Sequence, residues 1–533
     1  MKQLLTPTSL LAALVLVAGS ATAQDEINVV PATSRMGWLT RPYQSRSVAP
    51  VRLSNSARLD SLIRSGNLYL TAQDVVALAV ENNVDIEVQR YGPVLAREVL
   101  RRAQGGGALR SVGSPVAAGP SSVSLQGVST NAGGVSGGSA VSSGGGIVTQ
   151  LGPSIPSLDP TFLAFINFAH STPPQSNTVL TGTTSLVTNT RTLQAQYSQN
   201  WDFGLAAVLS YSSQYYKFNS QFFSINPYTS GSLDLQITQN LLQGFGSAVN
   251  TRNIRVQKNN LKVSDLQFKQ QVITTVAAVL NLYWDLVSFE EDVKARRQGV
   301  STSQQLLEDN RKQVASGSLA EIEITRAEAQ LYASQQDLTI AQTNLMQQET
   351  VLKNALVRNG VAEAGLAGMH IVPLDKIAIP ATEPSRPIEE LVAEALSKRP
   401  EIEQAKTNLE SNQMNLVGIK NSLKPSLQAF AEMTNNGLTG DLTALGAAQP
   451  GIGYLAGGYG NLLGQIFRRN YPNYSAGFSL NIPLRNRAAQ ADYAVSMLEL
   501  RQNELNLRKN VNQVRVDVQN AVIGLRNSRF EPE

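Results

Sequence analysis

Seven hydrophobic residues spaced by seven, Val272, Val279, Leu286, Val293, Val300, Leu307 and Val314, run without a break through the middle of a 533-residue chain. An α-helix turns once per 3.6 residues, so a strict seven-residue repeat lays one apolar stripe along its length, and a second helix must cover that stripe. The chain supplies the second helix itself. After Ala315-Ser316-Gly317-Ser318, where glycine permits the backbone to reverse, a second series follows at Ile324, Leu331, Leu338, Leu345 and Leu352, with the small residues Ala327, Ser334, Ala341 and Ala355 three positions further on. Large against small is the pairing that knobs and holes require. The pattern predicts two antiparallel helices of about 60 and 40 residues, the longer reaching roughly 90 Å at 1.5 Å per residue. That is a projecting rod.

Elsewhere the period shortens to two. Leu193, Ala195 and Tyr197 alternate with polar residues in LQAQYSQ, and Leu233, Leu235 and Ile237 do so in SLDLQITQ; LQAFAEMT (Leu427–Thr434) and YSAGFSLNI (Tyr474–Ile482) repeat the pattern later. These are strands. Aromatic residues gather around them, with 13 of the chain's 32 between Thr161 and Ser230 and 7 more between Pro425 and Leu480. Such clustering suits the interfacial girdles of a membrane barrel; the core of a soluble sandwich is the other arrangement that would produce it. Asn435–Asn470, glycine-rich and set between two strands, reads as a surface loop.

The helix–strand unit occurs twice. Thr71–Arg90 aligns with Pro387–Lys406 through Val76 with Val392, Ala77 with Ala393, Ala79 with Ala395, Ile86 with Ile402 and Glu87 with Glu403, and Val272, Val279 and Leu286 align with Val511, Val518 and Leu525. Thr71 with Asp74 forms a capping-box pattern, and Pro387 suits a first helical position. The first copy carries about 77 more residues than the second between helices, and Gly105–Gly146, glycine- and serine-rich with Arg110 as its one charge, marks where they are expected to lie and reads as a flexible insertion. The divisions are an N-terminal extension (24–69), a first repeat (70–358) with the insertion at 103–158, strands at about 160–240 and the helical hairpin at 250–358, a linker (359–386), and a second repeat (387–533) with strands at about 425–484 and an incomplete hairpin.

Residues 1–23 read as a cleaved secretory signal: Lys2, then the apolar core Leu10–Ala18, then Ala21-Thr22-Ala23 ahead of Gln24. Beyond Gln24 no apolar run approaches the roughly 20 residues of a spanning helix, so any membrane insertion is by β-barrel. Cysteine is absent, which removes thiolate metal sites and cysteine nucleophiles, and His170 and His370 are the only histidines. A net charge of +4 is too balanced to indicate nucleic acid. The glycines of GGYGNLLG (Gly457–Gly464) lack the lysine and the strand-before, helix-after setting of a phosphate loop, and Glu321 with Glu323 reads as a solvated N-terminal pair beside the turn. No constellation of an enzyme, a metal centre or a cofactor site is present in the pattern.

A signal segment, a duplicated helix–strand–long-helix unit and a glycine-turned antiparallel coiled coil together resemble the TolC-type outer-membrane efflux proteins, over Leu70–Arg102 and most of Asp159–Phe530. The most diagnostic segment is VASGSLAEIEITRAEAQL (Val314–Leu331). The resemblance implies an α+β membrane protein: a homotrimer whose strands form one twelve-stranded barrel among outer-membrane lipid, continued by long antiparallel coiled-coil helices as a periplasmic tunnel. It implies a passive exit duct for drugs, metals or proteins in a tripartite efflux or type I secretion system, docked on a periplasmic adaptor and an inner-membrane pump, with Ser316, Gly317, Ser318 and Leu319 as the adaptor-facing tip. The competing class is a structural or adhesive surface protein with a coiled-coil stalk. A departure from the family pattern is that the second-copy counterpart of Gly317 would fall beyond Glu533, so the second hairpin is expected to be truncated, or the protein a degenerate copy.

Overall fold

The computed structural model describes residues 29–30, 40–106, 153–359, 368–377 and 386–527. The expected signal segment, most of the glycine/serine-rich insertion and residues 528–533 lie outside the described residues.

Helix α1 (Ala57–Leu62) leads into two short strands, β1 (Ile63–Arg64) and β2 (Asn67–Leu70). Thr71 then caps α2 (Ala72–Asn82): its hydroxyl accepts from the Asp74 amide at 3.2 Å, and the Asp74 carboxylate accepts from the Thr71 amide at 3.3 Å. The capping box is therefore closed in both directions. Asn83, extended at φ −63° and ψ 128°, separates α2 from α3 (Val84–Gln104), and its side chain accepts from the amides of Asp85 and Ile86. The amphipathic stretch Thr71–Arg90 is thus two helices broken by a cap.

Four long strands follow: β3 (Thr161–Ser171), β4 (Thr188–Asn200), β5 (Leu205–Phe218) and β6 (Ile225–Asn240). The heptads then form α4 (Arg252–Ala315, 64 residues) and α5 (Ile322–Leu356, 35 residues), close to the lengths their periodicity predicts. Along the seam Val279, Leu286, Val293 and Leu307 are buried, Val272, Val300 and Val314 half-buried, and Ala327 and Ala341 are buried opposite them.

Strand β7 (His370–Pro373) returns to pair in parallel with β2, making a three-stranded sheet with β1. Helices α6 (Ile388–Lys398) and α7 (Pro400–Asn421) repeat the α2–α3 pair at the same offset, 388 for 72 and 400 for 84, with Arg399 as the extended break. Pro387 sits one residue ahead of the first helical position expected for it, and Pro400 occupies the first turn of α7. Strand β8 (Ser426–Leu442), helix α8 (Tyr459–Phe467), strand β9 (Tyr471–Asn481) and helix α9 (Arg487–Asn527) complete the described chain.

The core lies where α2, α4, α5 and the small sheet meet: Leu68, Leu70, Leu78, Leu282, Tyr283, Leu286, Leu352 and Leu356 are each 1% exposed or less. Each such leucine contributes about 1.5–3 kcal/mol by leaving water. Contrary to the sequence expectation, one 18-residue window of α4, with mean hydropathy 1.5, is long and apolar enough to cross a membrane. Val279, Leu282 and Leu286 of α4 belong to this packed core, so their apolar character is explained by burial against protein.

Candidate channel wall and helical tip

The six long strands form a single antiparallel sheet in the order β9-β8-β6-β5-β4-β3. Four of them precede the coiled-coil hairpin in the chain and two follow it, whereas a twelve-stranded trimer leaves room for four strands per chain in all. The sheet thus holds two strands more than such a trimer takes from each chain. The long helices attached to the sheet leave from one end of it: α3 meets the start of β3 through the Leu158 amide on the Gly105 carbonyl at 3.2 Å, α7 meets the turn after β6 through the Gly244 amide on Asn421 Oδ1 at 2.7 Å, and Asn486 beside α9 reaches the Leu423 carbonyl at 3.1 Å. Strand tips lie at the far end.

Successive strand residues point to opposite faces, so the register assigns each residue to a side. The row Ile166, Leu193, Ser213, Gly231, Gly437 fixes one face, and the same parity gathers Phe162 and Phe168 on β3, Tyr197 on β4, Leu209 on β5, Leu233, Leu235 and Ile237 on β6, Ala431 and Met433 on β8, and Phe478 and Leu480 on β9. The opposite face carries Thr190, Thr192, Gln194 and Gln196, then Ser210, Ser212 and Gln214, then Ser230, Ser232, Asp234 and Gln236, then Gln428, Glu432 and Thr434, and finally Asn473, Ser475 and Ser479. One face is apolar and the other hydroxyl- and amide-rich. Thr434 Oγ1 donates to Asp234 Oδ2 at 2.6 Å and Ser475 Oγ to Glu432 Oε2 at 3.3 Å, which orients the two carboxylates on the polar face. A soluble sandwich requires a second sheet over the apolar face; among the described residues there is none.

Contrary to the reading of Asn435–Asn470 as a loop, Asn435–Leu442 continues β8, and Gly457-Gly458 leads into α8. The helix-after setting denied to this glycine stretch is present, yet the lysine of a phosphate loop is still missing. Instead α8 folds back onto the apolar face at its far end, seating the buried Leu462 and Ile466 over Gly231 and Gly437. A Cβ at Gly437 would stand 3.0 Å from Leu462, so the two glycines form the notch that admits the helix. Tyr459 and Tyr211 share a 2.5 Å hydroxyl contact at its start.

At the other end of the molecule the α4–α5 turn is a Schellman closure: the Gly317 amide donates to Val314 at 2.9 Å and the Ser318 amide to Gln313 at 3.0 Å, with Gly317 at φ +74°. Ser316, Gly317 and Ser318 are exposed and Leu319 is half-buried. The Ser316 and Ser318 hydroxyls both turn back to the Gln313 carbonyl, at 2.8 and 2.9 Å. The tip therefore presents a compact surface whose serine hydroxyls are already turned inward. Glu321 takes the N-cap position of α5, and Glu323, in its first turn, pairs with Arg326 at 2.7 Å, as a dipole-facing pair should.

His170 Nδ1 lies 2.6 Å from Asn189 Oδ1, and His370 Nδ1 3.4 Å from Glu349 Oε2, a carboxylate that sequence proximity did not reveal. Lys353 stands beside the same Glu349. Among the described residues no group of three acidic or histidine side chains could hold a metal ion.

The two-faced antiparallel sheet carries its long helices at one end and α8 at the other, and the coiled-coil hairpin continues from the first of these ends. Residues 180–357, from β4 through α5, match the family model of the outer membrane efflux protein. This is the family that the sequence resembles. Solved structures to which the chain is similar include CusC (12% identity, TM-score 0.49, 90% of this chain and 83% of that one), the CmeC outer membrane channel of Campylobacter jejuni (14%, 0.41, 85% and 68%) and the outer membrane protein VceC of Vibrio cholerae (11%, 0.44, 83% and 75%). None of the curated proteins matches the chain.

Proposed function

We propose that three copies of this chain form a passive duct through the outer membrane. The sheets close edge to edge into one barrel with the apolar faces toward lipid, and the helices continue the lumen through the periplasm. The observation that carries this reading is the parity-consistent division of the sheet into an apolar and a polar face, joined to two open edges. A membrane leaves no water to satisfy a strand edge, so a sheet below the eight strands of the smallest barrels must be completed by other copies. The repeated helix pairs at a constant offset support an internal duplication, each copy supplying strands and one side of the tunnel. The family match supports efflux. On this reading the Ser316–Leu319 tip faces a periplasmic adaptor and, through it, an inner-membrane pump, and the chain itself performs no covalent chemistry.

Reconstitution of the purified chain in planar bilayers tests the duct. Stable unitary conductance, together with fractionation in the outer membrane, is the expected result. Recovery in the soluble periplasmic fraction, with no conductance, would reject the barrel. For the tip, Ser318→Glu or Leu319→Glu is expected to reduce adaptor cross-linking and export at unchanged protein level; unchanged cross-linking would leave the turn with a structural role only.

A further inference from the structure

The hairpin β3–β4 lies outside the four strands that a twelve-stranded trimer requires of each chain. It is nevertheless fused to them: β4 pairs with β5 over thirteen consecutive residues from Thr188–Phe218 to Asn200–Ala206, and its parity keeps apolar residues on the apolar face and threonine and glutamine on the polar one. A decorative loop outside the membrane would not need that segregation. Its outer strand β3 is fully exposed, with Phe162, Ile166 and Phe168 at 71, 64 and 72% on the apolar side. Strand β9 at the opposite edge of the sheet is exposed in the same way, with Tyr474 and Phe478 at 66 and 75%.

The two edges match each other. β3 and β9 are both 11 residues long, the length that spans a bilayer as a tilted strand. With six alternating strands in the sheet the two edges run in opposite senses, so joining β9 of one copy to β3 of the next extends the antiparallel order without a fault. Aligned end to end, Phe162 falls opposite Leu480 and Ile166 opposite Ala476 on the apolar side, and Phe165 opposite Gly477 on the polar side, where the Phe430 ring already covers the glycine. The polar face is interrupted by the exposed Leu163 and Phe165 on β3 and by Phe430 near β9, and this junction brings those apolar residues together.

We propose that β3 is the closing strand of the assembly: β9 of one copy pairs with β3 of its neighbour, and three copies of the six-stranded sheet make an eighteen-stranded barrel (3 × 6). This rests on the trimeric duct proposed above and changes its gauge. Barrel diameter grows roughly linearly with strand number, so the membrane segment is about one and a half times as wide as a twelve-stranded one, in the range where porins hold an open aqueous channel.

The absence of native cysteine makes the junction directly testable by oxidation. Full-length chains carrying Ile166→Cys are combined in turn with Tyr474→Cys, Ala476→Cys or Phe478→Cys, which samples neighbouring registers of the same face. A parallel set places the first cysteine at Leu209 on β5, the edge that would be used if β3–β4 stood aside. In membranes, the β3 set is expected to give disulfide-linked chains in a ladder that ends at three. Cross-links from the Leu209 set with none from the Ile166 set would overturn the eighteen-stranded closure while leaving a twelve-stranded duct. No inter-chain bond from either set would overturn both closures, and a ladder longer than three would overturn the strand count.

Discussion

Tyr283 shows what one residue can hold together. Its hydroxyl lies 3.1 Å from the Leu70 carbonyl and 3.0 Å from Asp375 Oδ2, and the same carboxylate oxygen accepts from the Ala72 amide at 2.7 Å, so α4, β2, the start of α2 and the segment after β7 meet at one buried phenol. Burial, and then the Asp375 carboxylate, push the phenol well above the ordinary range. A raised folded-state value favours the neutral form. Its contribution to stability is therefore full below the unfolded value near pH 10 and is lost as pH rises from there through the folded value. Tyr283→Phe is expected to cost about 1–2 kcal/mol at neutral pH, because a buried acceptor loses its donor, and to flatten the alkaline limb of a thermal-melting profile; an unchanged limb would mean that the phenol ionises freely in the fold. At the tip the controlling feature is backbone geometry. Gly317 has open space around its absent side chain but sits at φ +74°, so Gly317→Ala is expected to weaken the α4–α5 hairpin by about 1 kcal/mol through strain alone, read as a lower melting temperature.

The helical hairpin is unequal along its length. Near the core α4 is covered by α2, α3, α5 and α7, while toward the tip it has only α5, and the seam there is half-buried at Val300 and Val314. Leu286→Ala is accordingly expected to cost about 2–5 kcal/mol, and in hydrogen exchange the amides of 300–330 are expected to open before those of 275–290; uniform protection would show that the tip is covered in the assembly. These helices were legible in the sequence because six heptads on one side and a matching small-residue series on the other admit no second period. The capping box at Thr71 was legible for a similar reason, since both partners lie within one turn. Strand β3 was harder to read: Phe162, Leu163, Phe165 and Ile166 put apolar groups on both faces, which erases the alternation by which β4 and β6 announce themselves. The loop reading of Asn435–Asn470 missed α8 because Gly437 and Gly231, which look like turn residues, form the notch beneath Leu462, and a contact of that kind is set by register between strands rather than by any local pattern. Glu349 beside His370 was hidden likewise, joined only by the return of β7.

Across the whole molecule the charges on the sheet are sorted by face. In the registered ladder the polar face carries Asp234 and Glu432 and no cation, while the apolar face has Arg191 and Lys217 near its far end, where Arg191 lies 5.1 Å over the Tyr215 ring. In the proposed barrel that is the level at which strands leave the hydrocarbon and meet headgroups, so cations there would be held at an interface and not in the lumen. If the polar faces of three copies line the barrel, six carboxylates stand around the lumen with hydroxyls orienting two of them in each copy, and rings of carboxylates favour cations in transit. The open chain is therefore expected to pass small cations over anions in a salt gradient, with a reversal potential on the cation side. Asp234→Asn with Glu432→Gln should move that potential toward zero at similar conductance, whereas the face-reversed control Arg191→Gln should leave it in place. A shift with Arg191→Gln and none with the carboxylate pair would mean that the sheet closes with its faces the other way, and that the side enriched in Phe162, Ile166 and Phe478 is buried by something other than lipid.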